Sequence, residues 1–563
     1  MKGLWLIFLI PMLCQGQKQE FKTPFEQGNG NQSATYAQTI AWYENLGAAF
    51  ETISVQTRLR TDSGEPLHLV LFDSSGKFTT DSKITILVNN GIHAGEPDGI
   101  DASMLFMRDL ATGKITPPKN VMVAVIPVYN IGGMLNRNAT TRVNQDGPEE
   151  YGFRGNARNY DLNRDFIKAD TNNTLAFADI FQGLSPDIFI DNHVSNGADY
   201  QYTLTYILTQ QNRLGQTLGG FLHNEMMPEL TRDLKRKKIV ITPYVNAWGE
   251  KPDARGFAQF NDTPRYATGY TSLFNTIGFV VETHMLKPFK DRVKATYDFM
   301  ASVLEYANSN AAVIKQKRLE NAALFKAGNL YPVQWAVDSA KVSEIEFLGF
   351  EGSYKKSEVT TGQRLFYDRS KPFKRKIPFY GEYKPVKTVT IPNDYIIPQG
   401  WQNVIQLLVA NGVQIKRLST DSVAWVERYR IKDFKTSVVA YEGHYPHQYT
   451  SVEKTQQEIT FRKGDYVVPT NQPAVKYIME TLEPEAADSF FNWNFFDTIL
   501  QEKEWFSDYV FEDLAVIILR DNPNLKTELD QKIKNEAAFA SDPDAQLAWI
   551  YQHSIYYESA HMS

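Results

Sequence analysis

Short apolar runs alternate with amphipathic stretches between about residues 80 and 300 of the chain. Continuous apolar runs of four to eight residues favour buried strands, and apolar residues every three or four positions favour helices. The predicted strands are 84–88, 121–128, 188–190, 239–242 and 279–281, and the predicted helices begin at Pro97 and span 214–234. This alternation predicts an α/β fold, with a mixed, largely parallel sheet flanked by helices.

The pattern changes after about residue 325, where shorter segments predict an α+β accessory region. The predicted strands are 386–391, 438–441 and 458–461, and the predicted helices are Gln402–Ala410, ending at Gly412, one beginning near Pro473, and further helices over 500–563. We therefore predict an α/β domain over 17–325, a β-rich accessory domain over 326–470 and a mainly helical region over 471–563.

Residues 1–16 have the layout of a secretory signal peptide, with Lys2 before an apolar stretch and cleavage expected after Gly16. This predicts a secreted or periplasmic protein. An alternative makes Cys14 a lipid-anchor site, but Met12 and Leu13 stand where small residues would be needed. Cys14 is the only cysteine, so the mature chain would hold no disulfide. No other segment has the length and apolar character of a membrane span.

Composition limits the classes of partner. A chain of 563 residues exceeds one compact core, so several domains are expected. The net charge of −6 argues against a nucleic-acid partner, which would require a basic face. Aromatic residues make up 13% of the chain, which fits core packing or a binding surface. The oligomeric state is not indicated by any of these features.

Four polar residues stand where predicted strands end. His93 and Glu96 follow the first strand, and His193 and Glu282 each close a later one. Because the carboxyl ends of parallel strands meet at one edge of a sheet, these side chains are expected to converge. Taken singly, each could be structural: a solvated loop histidine, a histidine bonded to backbone, or an ion-paired carboxylate. Together, two histidines, one carboxylate ligand and one spare carboxylate favour a hydrolytic zinc site.

The segment 154–166 is the second concentration of polar residues. Its Arg164 could hold a carboxylate through two parallel hydrogen bonds, with Asn163 beside it. Asp161 could orient a metal-binding histidine by accepting a hydrogen bond from its ring. The alternative is a polar loop that its arginines brace.

In their order along the chain, these residues resemble the zinc carboxypeptidase family (carboxypeptidase A-like metallopeptidases) over about residues 35–310. The segment Asp161-Leu-Asn-Arg is the most discriminating part of the match, and the chain looks like a secreted bacterial member with an extra C-terminal region. The roles that the resemblance implies are Zn²⁺ binding by His93, Glu96 and His193, a grip on the terminal carboxylate of a peptide substrate by Asn163 and Arg164, general base and acid catalysis by Glu282, and support of His93 by Asp161.

The chain also departs from the digestive members of that family. Those carry an arginine immediately before the ligand glutamate, where this chain has Gly95. Several further roles stay open. The candidates are Arg142 or Arg154 for polarising the scissile carbonyl, Tyr266 or Tyr270 for contacting substrate, and His284 for either a substrate contact or a structural position.

Two other functions remain compatible with these residues. One is a zinc-dependent deacylase or amidohydrolase on the same scaffold, with arginine gripping an acidic small molecule. The other is a non-catalytic protein that binds peptide or glycan in the cleft. Peptides with free and amidated C-termini distinguish the first from a carboxypeptidase, and the metal content tests the second.

Overall fold

A computed structural model describes residues 21–80, 83–247, 252–558 and 561–563. The signal-peptide prediction for 1–16, including Cys14, falls outside these residues. Over the described ranges, the helices are all too short or too polar to traverse a lipid bilayer.

An eight-stranded sheet forms the centre of the N-terminal part. Its strands are β1 (Ile53–Arg60), β2 (Pro66–Phe72), β3 (Ile84–Asn90), β4 (Val121–Ile126), β5 (Ile188–Ser195), β6 (Leu204–Leu208), β7 (Ile241–Pro243) and β9 (Ile277–His284), whereas β8 (Phe257–Ala258) pairs elsewhere. The order is β1-β2-β4-β3-β5-β9-β6-β7. Strands β4, β3, β5 and β9 run parallel to one another, and β2 and β6 join them antiparallel. The predicted mixed, largely parallel sheet is therefore confirmed.

Helices cover both faces of this sheet. They are α1 (Pro24–Gln27), α2 (Tyr36–Ala49), α3 (Asp98–Ala111), α4 (Ile131–Leu135), α5 (Asn172–Leu184), α6 (Gln211–Leu214), α7 (Gln216–Phe221), α8 (Met227–Arg236), α9 (Ala267–Ser272), α10 (Phe289–Ser309) and α11 (Ala311–Ala322). A π-helical turn, Leu222–Met226, joins α7 to α8. Successive strand residues point to opposite faces, so Val88 packs in the core with α3 and α10 while Leu87 packs in the core with α5.

Among its described residues, the C-terminal part adds nine strands and six α-helices. The strands are β10 (Leu330–Val337), β11 (Ser343–Lys356), β12 (Gln363–Tyr380), β13 (Tyr383–Thr390), β14 (Asp394–Ile397), β15 (Lys416–Arg417), β16 (Ser422–Thr436), β17 (His447–Phe461) and β18 (Tyr466–Pro469). The helices are α12 (Gln402–Ala410), α13 (Val475–Leu482), α14 (Asp508–Asp521), α15 (Pro523–Asn535), α16 (Ala537–Ala540) and α17 (Pro543–Gln552). The prediction of a helix over Gln402–Ala410 is confirmed residue for residue.

One predicted strand, 438–441, is wrong. These residues belong to the reversal between the long strands β16 and β17, hereafter the 437–446 turn. Val438 and Val439 are 93% and 69% exposed, so their apolar character does not reflect burial. Glu442 and Gly443 adopt positive φ angles of 48° and 82°, which reverse the chain and are incompatible with an extended strand.

The core on the α5 side of the sheet continues into the C-terminal part. Phe181 of α5 and Tyr270 of α9 share one apolar cluster with Leu408 of α12 and Tyr477 of α13. The Tyr270 hydroxyl also donates a hydrogen bond of 2.6 Å to Asn411 just beyond α12. The two parts therefore share a hydrophobic core, and the boundaries at 325 and 470 stay predictions about the chain.

Candidate metal centre

Sheet register brings the polar strand ends together. Strands β5 and β9 pair His193 directly with Glu282, so the two residues are neighbours on adjacent parallel strands. Strands β3 and β5 pair Asn90 with Asn192, so the loop that follows β3 leaves the sheet beside His193. That loop carries His93 and Glu96. The polar residues therefore meet at one edge of the sheet, as the sequence predicted, because β3, β5 and β9 are neighbouring parallel strands.

His93, Glu96 and His193 are buried and lie with one potential ligand atom each within 4.8 Å of one another. The Nδ1 atom of His93 is 3.2 Å from Glu96 Oε1, and the Nδ1 atom of His193 is 3.3 Å from Glu96 Oε2. Ligands at about 2.1 Å from a tetrahedral zinc ion stand about 3.4 Å apart. The nitrogen and oxygen donors and their separations therefore fit zinc.

Carboxylates fix the orientation of both imidazoles. His93 Nε2 donates to Asp161 Oδ1 over 2.9 Å, and His193 Nε2 donates to Asp191 Oδ2 over 2.7 Å. A ring that carries its proton on Nε2 has its lone pair on Nδ1, and both Nδ1 atoms face Glu96. This is the usual arrangement of histidine ligands, in which the nitrogen remote from the metal donates to a carboxylate.

Glu96 is held in place by two donors from other segments. Arg142 Nη1 donates to its Oε1 over 2.9 Å, and the Val194 backbone N–H donates to its Oε2 over 2.9 Å. Burial opposes ionisation, but the neighbouring His93 and the Arg142 guanidinium hold the pKa of Glu96 well below its usual range. The carboxylate is therefore ionised, as a metal ligand must be.

Gly95 makes the contact of Arg142 with Glu96 possible. A Cβ atom at position 95 would lie 2.7 Å from Arg142 Cδ and 2.9 Å from the Gly152 carbonyl oxygen. Any larger residue would displace the arginine side chain from its path. The glycine that departs from the digestive family members thus admits an arginine from another segment.

Asp161 connects the loop of His93 to the segment that follows it. Its Oδ2 accepts hydrogen bonds of 3.0 and 2.8 Å from Arg154 Nε and Nη2, and its Oδ1 accepts from the Asn163 N–H. It thereby caps the 3₁₀ turn Leu162–Arg164. Burial raises the pKa of Asp161, but His93 and then Arg154 outweigh it and hold this pKa well below its usual range.

Glu282 lies next to the three potential ligands and is partly exposed to the cleft. Burial, with the negative charges of Glu96 and Asp191, raises the pKa of its carboxyl to about 8, against an opposing contribution from His193. A cation among the ligands would reverse much of this shift, because a nearby positive charge favours the carboxylate form.

The cleft around these residues has a volume of about 640 Å³ and is lined by many polar groups. Asn163 and Arg164 lie in its wall with Tyr266, over whose ring the Arg164 guanidinium is centred at 4.6 Å. The Asn163 side-chain oxygen accepts the Ala267 N–H, which leaves its amide nitrogen as the donor group. The predicted ligands His93, Glu96 and His193, the predicted base Glu282 and the predicted carboxylate grip Asn163 and Arg164 therefore border one cleft, and Asp161 contacts His93.

The curated proteins that this chain resembles are carboxypeptidases, although no family model matches it. "Carboxypeptidase 2" of Trichophyton rubrum is 22% identical over 442 residues, covering 75% of this chain and 76% of that protein, and its counterpart in Trichophyton equinum is 22% identical over 443 residues. This chain is thus similar to curated carboxypeptidases over about three quarters of its length. The resemblance drawn from the motifs is confirmed.

The chain is also similar to solved structures of metallo-carboxypeptidases, at low identity and low TM-score. The metallo-carboxypeptidase from Burkholderia cenocepacia gives a TM-score of 0.35 at 15% identity, covering 49% of this chain and 70% of that one. Carboxypeptidase A from Helicoverpa armigera gives a TM-score of 0.35 at 13% identity, covering 50% of this chain and 75% of that one.

Two of the residues considered for contact with a substrate lie outside the cleft. Tyr270 is 1% exposed in the core, bonded to Asn411, so it cannot reach a substrate. His284 is fully buried, with Nε2 donating to the Ala198 carbonyl and Nδ1 accepting the Leu286 N–H. The structural reading of His284 therefore fits its contacts, and Tyr266 is the tyrosine of the pair that lines the cleft.

The sequence reasoning missed Asp191, Asp262 and Tyr244. Asp191 stands two residues before His193 on the same strand, so the two side chains share a face of the sheet and meet. That spacing was a usable signal. Asp262 and Tyr244 line the cleft from loops, where no periodic pattern marks a position.

Replacing Asp191 with Asn is expected to weaken zinc binding by about 10- to 100-fold, because the ring of His193 loses its charged acceptor. Competition with a chromogenic chelator measures the affinity. Asp421→Asn, in an exposed turn, serves as the matched control and should bind zinc normally. Unchanged affinity in folded Asp191→Asn would show that this carboxylate does not support the metal.

Proposed function

We propose that this protein is a secreted zinc metallocarboxypeptidase that removes residues from the free C-terminus of peptides. The observation that carries the proposal is the meeting of His93, Glu96 and His193 beside Glu282 in a cleft whose wall also presents Arg164. The named relatives support it. Secretion rests on the leader pattern at residues 1–16.

The three ligands would hold zinc, which supplies a Lewis acid that polarises the scissile carbonyl and lowers the pKa of water toward about 7. Glu282, beside His193, takes a proton from the attacking water and passes it to the leaving amine. Asp161 and Asp191 keep the two imidazoles in the tautomer that presents Nδ1. Arg142 holds Glu96 in position.

Arg154 is the better placed of the two arginines to stabilise charge on the carbonyl oxygen. Its Nε and Nη2 donate to Asp161, and its side chain lies 46% exposed on the cleft, with Nη1 3.4 Å from His93 Nδ1 and 3.7 Å from Glu96. Arg142, by contrast, is engaged by Glu96, Gln145 and the Val194 carbonyl. A guanidinium held rigidly on one edge can present the other to a developing oxyanion without reorganisation.

Asn163 and Arg164 would bind the terminal carboxylate of the substrate. The stacking of Arg164 on Tyr266 and the bond of Asn163 to Ala267 fix both groups against the same short helix, α9. Binding the carboxylate there places the last peptide bond near Glu282. This requirement for a free C-terminus is what separates a carboxypeptidase from a deacylase on the same scaffold.

Metal content and a panel of C-terminally varied peptides test the proposal together. Purified protein should contain about one zinc ion per chain and should cleave a peptide acid but not its amide. Hydrolysis of N-acyl amino acids without hydrolysis of peptides would favour the deacylase. A folded protein that holds zinc below about one ion per chain and cleaves neither would favour the binding protein.

Arg164→Met is expected to lower kcat/KM for a peptide acid by about 100-fold and to remove most of the preference for acid over amide. The reason is the loss of two charge-assisted hydrogen bonds to the carboxylate. Steady-state kinetics on the acid and amide pair measure both effects. Arg158→Met, on a half-exposed arginine of the same segment, is the matched control. Retained discrimination in Arg164→Met would remove this residue from substrate binding.

A further inference from the structure

The 437–446 turn of the C-terminal part reaches the segment that contains Asp161. Glu442 Oε2 accepts the Asp161 backbone N–H over 2.9 Å, between residues 281 positions apart. At Gly443, a Cβ atom would lie 2.4 Å from the Tyr160 hydroxyl oxygen, so the backbone of the turn is seated directly on that ring. Two elements distant in sequence are therefore in close contact, next to the residues Asn163 and Arg164 that line the cleft.

The turn is anchored on both sides of Glu442. His444 Nε2 donates to Asp170 over 2.7 Å, and Asp170 also pairs with the fully buried Lys168. On the other side, the Tyr441 ring stacks on the buried Trp493 at 6.2 Å. Because both ends are fixed, Glu442 is held in the left-handed region at φ 48°, a conformation that persists only when its surroundings impose it.

Asp161 links this contact to the metal ligand His93 and to the residues that line the cleft. Its side chain accepts from His93 Nε2 and from the Asn163 N–H, and its carbonyl accepts the Arg164 N–H over 2.9 Å. The backbone N–H of Asp161 takes no part in these bonds and donates to Glu442 instead. A shift of this backbone would move the acceptor of His93 and the 3₁₀ turn that presents Asn163 and Arg164.

We propose that Glu442 is a positioning residue, through which the 437–446 turn holds the Asp161–Arg164 segment in the geometry that binds the substrate carboxylate. The inference deepens the proposed function and rests on it. The C-terminal part thereby acquires a role in the grip on substrate, although the cleft itself is lined by residues of the N-terminal part.

Glu442→Ala and Glu442→Gln test the contact, because glutamine keeps a side-chain oxygen for the Asp161 N–H and alanine does not. Both variants retain a non-glycine residue at the strained position. Alanine is expected to raise KM for a peptide acid by about tenfold, with kcat changed less than about threefold, since the affected groups bind the substrate carboxylate. Glutamine should restore KM to near the wild-type value.

Two further readouts separate positioning from general stability. Amide hydrogen exchange over residues 160–164 should accelerate by about tenfold in Glu442→Ala and return toward the wild-type rate in Glu442→Gln. The unfolding midpoint should stay within about 2 °C and the zinc content at about one ion per chain in both. Tyr445→Ala, on an exposed side chain of the same turn, is the matched control for kinetics and exchange.

Failure of this inference and failure of the proposed function would give different results. Wild-type KM and wild-type exchange in Glu442→Ala would overturn the inference, as would a glutamine variant as impaired as the alanine variant. If the wild-type protein hydrolysed no peptide acid, the proposed function would fail. The exchange measurement, which needs no substrate, would still decide whether Glu442 holds the Asp161 segment.

Discussion

Glu282→Gln is expected to abolish peptide hydrolysis while leaving about one zinc ion bound per chain. The amide has nearly the shape of the carboxylate but cannot take a proton from water at neutral pH. Glu282 is paired in register with His193, so it lies beside the metal ligands without belonging to their set. Its removal should therefore stop proton transfer and leave the ligand geometry intact.

The expected loss is at least about 10²- to 10⁴-fold in kcat, the range for removing a general base. Single-turnover kinetics with saturating peptide measure it, and elemental analysis of the same sample gives the zinc content. Glu346→Gln, on an exposed carboxylate of β11, controls for the change of charge. Turnover within tenfold of the wild type would contradict the assignment of Glu282.

The second large effect is expected from His193→Ala, which should leave the protein with almost no bound zinc and no hydrolytic activity. Three protein ligands are the minimum that catalytic zinc sites use, so losing one leaves too few donors. His193 is also buried between Glu96 and Asp191. Its deletion therefore leaves these two carboxylates facing each other without a partner between them.

His193→Gln distinguishes metal loss from misfolding, because its amide can still donate to Asp191 while presenting a much weaker ligand. Circular dichroism and thermal unfolding establish that each variant is folded, and equilibrium dialysis against zinc gives the affinity. His553→Ala, on an exposed histidine after α17, is the control. A folded His193→Gln protein with wild-type zinc affinity would remove His193 from the ligand set.

Local patterns were sufficient for several features of the fold. The helix Gln402–Ala410 ends just before Gly412, whose positive φ of 77° suits a helix terminus, and its apolar spacing marks the buried face. The central strands are recognisable because buried parallel strands are continuously apolar. The prediction of a strand at 438–441 was wrong because two exposed valines in the 437–446 turn resemble a short buried apolar run.

The sequence by itself determined the kinds of residue at the site. His93, Glu96, His193 and Glu282 stand at strand ends, and strand ends follow from local hydrophobicity. Their chemical types and order also carried the family resemblance that the curated relatives confirm. These properties are local, because each depends on a few neighbouring residues.

Only the tertiary structure decided which partners these residues have. Arg142 passes Gly95 and binds Glu96, and Glu442 binds Asp161. Each of these contacts joins two segments that no periodic pattern relates. Such contacts depend on strand order, register and the packing of one part of the chain on another. Those are collective properties of the folded chain, set by which distant surfaces fit together, so a local pattern does not encode them.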